Sequence, residues 1–212
     1  MDYKKKYTKY KQYGGNNYIT LSSGEQIQCD GRLEFTGTHN HPQVDYLLYM
    51  KESLNISDKV EVLKIQTNVF KIENIIIKIL LASDNPEKTC SLTSLADSKH
   101  VGAKMLGCLK IYRNNEHICT YLFTEYLQPI EKDFDHFKIR EFVIKISKIT
   151  ELKFHPDFWY NNLCTDNDGN LKAIDWDGEL YDMYEKNIIN EEKAVALMLN
   201  RYSYKIDLDS KS

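Results

Sequence analysis

The sequence predicts an α+β fold, with short β-strands first and a helix-rich part after them. Hydrophobic residues make up 42% and charged residues 28% of the 212 positions, which is the balance of a chain that can bury a core. Two strand-rich stretches, residues 60–81 and 109–127, flank a helical pattern at 91–106. An amphipathic pattern at residues 135–152 then indicates a long helix with one apolar face.

Five strands are expected in the first part of the fold. Runs of β-branched and aromatic residues, separated by short polar turns, set their boundaries. The strands are predicted at residues 60–65, 69–72, 75–81, 109–112 and 118–127. Because short turns join consecutive strands, we expect an antiparallel sheet, with the helix 91–106 between its third and fourth strands.

The flanking segments complete the predicted organisation. Residues 1–17 are rich in Lys and Tyr, lack Leu, Ile and Val, and end in Gly-Gly-Asn-Asn, so a basic flexible tail is expected. This leader resembles that of many proteins of mimivirus-like giant DNA viruses. The predicted parts are a basic tail, an N-terminal extension, a strand-rich region and a helical region, at residues 1–17, 18–58, 59–127 and 128–212.

Composition argues against several classes of partner. The formal net charge is −3, whereas a nucleic-acid-binding domain usually carries a clear basic excess, so a nucleic-acid partner is not expected. No apolar run approaches the ~20 residues of a membrane helix, and no apolar secretory segment opens the chain. The five cysteines contain no Cys-x-x-Cys pair and fit neither a disulfide scaffold nor a zinc ribbon. An intracellular, cytoplasmic protein is expected.

Four polar residues interrupt otherwise regular patterns and are the candidates for chemistry. Lys78 breaks the isoleucine run of the third strand, and Asp157 and Asn162 follow the long helix. Asp175 ends a short strand. Phosphoryl transfer needs a cation for the phosphates, oxygen ligands for Mg²⁺, and a carboxylate that orients the acceptor hydroxyl and accepts its proton. Lys78 is assigned the first role. Asn162 and Asp175 are assigned the second, and Asp157 the third.

The spacing of these residues resembles the protein-kinase-like superfamily. His155 to Asn162 fits the catalytic loop H-x-D-x-x-x-x-N. Asp175 begins Asp-Trp-Asp-Gly in place of D-F-G, and Lys78 matches the lysine of V-A-I-K. The Asp-Trp form is closer to small-molecule phosphotransferases of the aminoglycoside type. The resemblance implies a two-lobed fold, with a five-stranded antiparallel N-lobe sheet and one helix, and a truncated helical C-lobe.

The resemblance also implies further site residues, cofactors and partners. Residues 123–127 look like the hinge that receives the adenine ring, so Glu125 and Leu127 are assigned to nucleotide binding. Asp97 is the best-placed carboxylate on the predicted helix to pair with Lys78. ATP and Mg²⁺ are the implied cofactors, and a hydroxyl group of a small molecule or protein is the implied acceptor.

Three departures from the family pattern leave two hypotheses open. The turn at residues 66–68 has no glycine, the helix 91–106 has no Glu, and 37 residues follow Asp175, too few for the C-lobe of a full protein kinase. The first hypothesis is a minimal ATP-dependent phosphotransferase. The second is a pseudokinase that acts as a nucleotide-binding or protein-interaction module.

Each candidate also has a purely structural interpretation. Lys78 could protect an edge strand from pairing with another chain. Asp157 could be a turn or N-cap residue, and Asp175 could begin an ordinary turn. The positions and contacts of these side chains distinguish the two interpretations.

Overall fold

The chain forms two compact units. The computed structural model describes residues 17–38, 41–56, 59–63, 68–131, 133–188 and 190–209. Unit 1 comprises Met1–Pro86 and Met105–Tyr126, and unit 2 comprises Glu87–Lys104 and Leu127–Ser212. The predicted tail lies outside the described residues except for Asn17. Within the described part of the chain, no helix has both the length and the hydropathy needed to cross a bilayer.

The described residues of unit 1 form an α+β unit with a main sheet, a small hairpin and one α-helix. Its elements are β1 (Tyr18–Thr20), β2 (Gln26–Gln28), β3 (Gly31–Glu34), α1 (Tyr46–Leu54), β4 (Glu61–Val62), β5 (Val69–Ile72), β6 (Ile75–Leu81), β7 (Met105–Arg113) and β8 (Glu116–Glu125). Strands β1 and β2 form a separate antiparallel hairpin. The main sheet has the strand order β3-β7-β8-β6-β5-β4, so the α+β class is confirmed.

The main sheet differs from the prediction in one strand. The five predicted strands are present as β4 to β8 and pair antiparallel. A sixth strand, β3, pairs parallel with β7, so the predicted five-stranded, purely antiparallel sheet is wrong. The turn residues of the N-terminal extension predict short strands at residues 18–35, and β3 is one of them, but its place in the main sheet is not predicted. Only the exposed edge of β7 gives this segment a partner, and that is a tertiary effect.

The core of unit 1 lies on one face of this sheet. On β6 the side chains of Ile75, Ile77 and Ile79 are buried at alternate positions, as a strand with one covered face requires. Tyr49 and Met50 of α1 pack into the same cluster. Because side chains alternate along a strand, Lys78 lies on the face opposite this core.

Unit 2 combines helices with a small sheet. Its described elements are α2 (Pro86–Ser98), β9 (Gln128–Pro129), α3 (His136–Ser147), β10 (Leu163–Thr165), β11 (Leu171–Ala173), α4 (Gly178–Glu185) and α5 (Glu191–Asp209). The sheet order is β11-β10-β9, and both pairings are antiparallel. One apolar cluster that includes Phe142, Phe158 and Trp176 forms its core.

Helix α2 begins earlier than predicted and its residues group with unit 2. It starts at Pro86, a residue favoured in a first helical turn. The hydroxyl of Thr89 accepts a 3.0 Å hydrogen bond from the Gly178 N–H. A Cβ at Gly178 would lie 2.7 Å from Cβ of Lys88, so glycine is needed for this close approach. Helix α2 lies within residues 59–127, as predicted, but from Glu87 onward it groups with unit 2, and the helix that packs in the unit 1 core is α1.

Two further helical boundaries differ from the prediction. Residues after Gly178 were expected to be an acidic loop, but they form α4, which the side chain of Asp177 caps by accepting from Leu180 N–H at 2.9 Å. The long helix ends at Ser147 rather than at residue 152. After it, two backbone bonds span three residues instead of four, from Ile149 N–H to Ile146 O at 3.0 Å and from Leu152 N–H to Ile149 O at 2.9 Å, so the α-helical pattern does not continue.

Candidate functional site

The loop from His155 to Asn162, called here the HxD loop, connects α3 to β10. Its first residue, His155, has no exposed surface and makes two hydrogen bonds through its ring. Nδ1 accepts from the Asp157 N–H at 3.2 Å, and Nε2 lies 2.8 Å from the carbonyl oxygen of Ile174. These partners assign the neutral tautomer with the proton on Nε2. Burial lowers the pKa of His155 to about 4.

Asn162 closes the HxD loop onto Asp157. Its Nδ2 donates to the main-chain oxygen of Asp157 at 2.9 Å and to Oδ2 of the same residue at 3.1 Å. Asn162 is only 6% exposed, so both bonds form in a largely desolvated position. The main-chain oxygen of Asn162 accepts from the Ile174 N–H at 2.9 Å. The spacing of five positions between Asp157 and Asn162 therefore lets the Asn162 side chain bond back to Asp157 and close the loop.

Asp175 directly follows Ile174, whose N–H and carbonyl oxygen are both hydrogen-bonded to the HxD loop. The N–H of Ile174 donates to Asn162, and its carbonyl oxygen accepts from His155. Asp175 itself has φ = +62° and an exposed side chain. A non-glycine residue in the left-handed region costs of the order of 1 kcal/mol and persists only where its surroundings fix it. Seven other described non-glycine residues also adopt a positive φ, so Asp175 is a candidate because its neighbour Ile174 is bonded to the HxD loop and not because of its backbone alone.

The charges of both aspartates act on the same imidazole. Asp175 and Asp157 each raise the pKa of His155 through their negative charge, which partly opposes the larger effect of burial. Trp176 covers the ring, with centroids 4.4 Å apart and planes at 65°. The Trp176 indole is buried and donates to Ala173 O at 2.9 Å. The structure thus brings Asp157, Asn162 and Asp175 together around one buried histidine.

The donor set fits a Mg²⁺ ion that is shared with phosphate oxygens. Among the described residues, no group of three or more His, Cys, Asp or Glu side chains is arranged to hold a metal. Mg²⁺ in nucleotide sites, however, takes one or two carboxylates and completes its shell with phosphates and water. The amide nitrogen of Asn162 is bonded to Asp157, so Asn162 would contribute Oδ1 to such an ion and Asp175 its carboxylate.

Lys78 lies in the interior of the unit 1 sheet. Its neighbours in register are Val69 on β5 and Leu122 on β8. Because β6 is paired on both sides, the interpretation of Lys78 as a residue that protects an edge strand is wrong. Its side chain is half-buried, on the face opposite the apolar core.

The other predicted nucleotide-binding residues fall at element ends. Glu125 is the last residue of β8 and pairs with Ile75. Leu127 is 8% exposed and packs with Ala103 and Cys164 in unit 2. Asp97 is half-buried in the last turn of α2, where its main-chain oxygen accepts from the His100 N–H at 2.8 Å.

The structural interpretations of the aspartates are partly right. Asp157 does lie in a turn, but its carboxylate also binds Asn162. In the Asp-Trp-Asp-Gly segment the capping role belongs to Asp177 and not to Asp175. Two acidic residues of α4 are paired: Asp182 lies 3.1 Å from Lys88 Nζ, and Glu185 lies 3.8 Å from Lys153 Nζ.

Sequence reasoning missed the residue that contacts Asp157 from outside the HxD loop. Nη1 of Arg201, on α5, lies 3.7 Å from Asp157 Oδ1 and donates to the carbonyl oxygen of Pro156. Ala194, Met198 and Tyr202 are buried on the same helix at intervals of four. The position of Arg201 next to these buried residues was the sequence feature that could have indicated this contact.

A cavity of about 440 Å³ lies in unit 1. Its polar lining includes His41, Arg113, Glu116 and His117. None of the predicted site residues lines it. Charges of both signs face this space, so its chemistry indicates no particular ligand.

Comparison with known proteins identifies no family for this chain. No protein-family model matches the chain, and no curated protein matches it. The functional interpretation therefore depends on the residues themselves.

Proposed function

We propose that the chain is an ATP- and Mg²⁺-dependent phosphotransferase that transfers the γ-phosphate to a hydroxyl of a small molecule or protein. The observation that carries the proposal is the convergence of Asp157, Asn162 and Asp175 around His155. A buried neutral histidine holds both the turn that contains Asp157 and the strand end that precedes Asp175. This arrangement supports the proposal because it brings Asp157 close to Asn162 and Asp175, which are residue types that can bind Mg²⁺.

Each residue has a distinct part in the proposed transfer. The acceptor hydroxyl oxygen forms a bond to the γ-phosphorus, and the bond from that phosphorus to the bridging oxygen of ADP breaks. The Asp157 carboxylate orients the hydroxyl and takes its proton, which later passes to water. Asn162 and Asp175 hold the metal. Bound Mg²⁺ supplies neutralisation of the phosphate charge.

The remaining nucleotide contacts stay predictions from the sequence. Lys78 is assigned to the phosphates, Glu125 and Leu127 to the adenine, and Asp97 to Lys78. Lys78 has the rigid placement that this role needs, because backbone pairing on both sides fixes the strand that carries it.

A binding module is the second candidate, and one contact favours it. Both carboxylate oxygens of Asp157 already have polar neighbours, since Oδ2 accepts from Asn162 and Oδ1 lies 3.7 Å from Arg201. A carboxylate held in this way has fewer lone pairs left for an acceptor hydroxyl. In that case the chain would bind nucleotide or a protein partner without turnover.

The test compares Asp157→Asn with Asp168→Asn. Asp168 is an exposed residue of the hairpin between β10 and β11, so its substitution makes the same change of charge outside the site. We expect Asp157→Asn to lower turnover by about 10²–10⁴-fold and to leave ATP binding intact, whereas Asp168→Asn changes neither. The assay is ADP release with Mg²⁺-ATP and a panel of hydroxyl acceptors.

Two results would redirect the proposal. Full turnover in Asp157→Asn would remove the role assigned to that residue. Magnesium-dependent ATP binding without ADP release from the wild-type chain would favour the binding module.

A further inference from the structure

Helix α5 contacts the HxD loop at three positions along one face. The His155 N–H donates to Met198 Sδ at 3.4 Å. Arg201 contacts Pro156 and Asp157, and the ring centroids of Tyr202 and Phe158 are 6.3 Å apart. Residues three and four apart lie on the same side of a helix, so Met198, Arg201 and Tyr202 form one continuous contact surface.

Arg201 is the polar member of this surface, and an aromatic ring on a second helix orients its guanidinium. Its Cζ lies 4.4 Å from the ring centroid of Tyr184, on α4. The planar guanidinium can stack on an aromatic ring and donate in its own plane at the same time, which an ammonium group cannot do. The side chain is 26% exposed, so this contact is partly shielded from water.

The contacts of Arg201 and Asn162 restrain the Asp157 carboxylate from two sides. Asn162 Nδ2 donates to Oδ2 at 3.1 Å, and Arg201 Nη1 lies 3.7 Å from Oδ1. Arg201 also fixes the peptide before Asp157 through its hydrogen bond to Pro156 O. Rotation of the carboxylate would weaken one of these contacts, so its two oxygens occupy defined positions.

We propose that Arg201 is a positioning residue that fixes the Asp157 carboxylate in the orientation required for the acceptor hydroxyl. The inference rests on the proposed function for the role of Asp157, but the restraint itself can be measured without turnover. It assigns a function to α5, which supplies the outer support of the HxD loop. Arg201 acts through Asp157 and does not itself contact the reacting atoms.

Amide hydrogen exchange tests the restraint directly. The Asp157 N–H, bonded to His155 Nδ1, reports on the loop, and the Gly178 N–H, bonded to Thr89 Oγ1, reports on the rest of unit 2. In Arg201→Ala we expect Asp157 exchange about tenfold faster, as for loss of a charge-assisted hydrogen bond. Gly178 exchange should stay within about twofold. The control Lys193→Ala removes an exposed cation from the same helix and should change neither rate.

Turnover supplies the second measurement. Arg201→Ala should lower kcat about tenfold with little change in KM for ATP. Arg201→Lys should recover part of the loss, because it restores charge but not stacking. Guanidinium ion added to Arg201→Ala should also restore activity. If Arg201→Ala does not fold, Arg201→Lys carries the same comparison, with a smaller change expected in both measurements.

The outcomes separate this inference from the proposed function. Unchanged Asp157 exchange in Arg201→Ala would overturn the positioning role, as would equal acceleration at Asp157 and Gly178, which would show general loosening of unit 2. A wild-type chain without turnover would contradict the proposed function. Faster exchange confined to Asp157 would still support the restraint in that case.

Discussion

Strand β6 and the HxD loop hold a polar side chain by different means. The strand that carries Lys78 is held by backbone pairing on both sides, with Val69 and Leu122 opposite Lys78. Asp157 is placed by side-chain hydrogen bonds that involve His155 and Asn162. On β6, backbone atoms hold the strand, whereas the side chain of Lys78 carries the proposed function. In the loop, the same atoms serve both, so substitutions there should affect stability more strongly.

The largest expected effect concerns the charge state of His155. Its pKa is about 4 in the folded protein, against 6.5 for the ordinary side chain, so the unfolded chain binds the extra proton first as the pH falls. Above pH 6.5, neutral His155 makes its full contribution to the free energy of unfolding. This contribution decreases as the pH falls below 6.5 and is lost as the pH falls through 4. The loss should reach roughly 3 kcal/mol at pH 4.

Urea unfolding followed by tryptophan fluorescence measures this effect in the relevant unit. The only two tryptophans, Trp159 and Trp176, belong to unit 2. In His155→Gln this pH dependence should disappear, so the stability difference from wild type should narrow by about 3 kcal/mol between pH 7 and 4. His136→Gln, at an exposed position, should retain the wild-type dependence. A difference between wild type and His155→Gln that does not vary with pH would contradict the neutral buried histidine.

A smaller effect is expected from the backbone strain at Asp175. Glycine adopts φ = +62° without a Cβ penalty, whereas alanine does not. Both Asp175→Gly and Asp175→Ala remove the carboxylate, so their difference isolates the backbone. We expect the glycine variant to be more stable by about 1 kcal/mol in the same urea experiment. Equal stabilities would show that the left-handed conformation carries no strain.

The smallest change in stability is expected at Lys78. Methionine keeps a long unbranched chain on the face opposite the core, so Lys78→Met should alter the unfolding free energy by less than about 0.5 kcal/mol. ATP affinity should nevertheless fall about tenfold, as for loss of one charge-assisted contact. The control Ile77→Ala empties a fully buried position and should cost about 2–5 kcal/mol. Destabilisation by Lys78→Met similar to that of Ile77→Ala would contradict the separation of roles on β6.

Local patterns predicted those parts of the fold that local physics decides. The run of isoleucine and leucine at residues 75–81 predicted strand β6, and the structure has the strand at the same bounds. The spacing of Asp157 and Asn162 predicted one loop that carries both. In each case the interacting residues are close in the sequence.

Contacts between distant segments could not be predicted in this way. Strand β3 forms only against the edge of β7, and α2 joins unit 2 because Gly178 allows a close approach to Lys88. Arg201 reaches Asp157 across 44 positions of the chain. The residue pattern within one segment does not indicate which distant segment it will contact, so the contact of α5 with the HxD loop was seen only in the structure.

The most direct test of the proposed site is thermal unfolding in the presence of ATP, with and without Mg²⁺. Ligand at about 100 times its Kd stabilises by ~2.7 kcal/mol, a rise in Tm of roughly 5–10 °C for a domain of this size. We predict such a rise for the wild type and for Asp168→Asn only when Mg²⁺ is present, and its loss in Asp175→Asn. No rise at millimolar ATP, or an equal rise in Asp175→Asn, would contradict the assignment of Asp175 to a magnesium–nucleotide site.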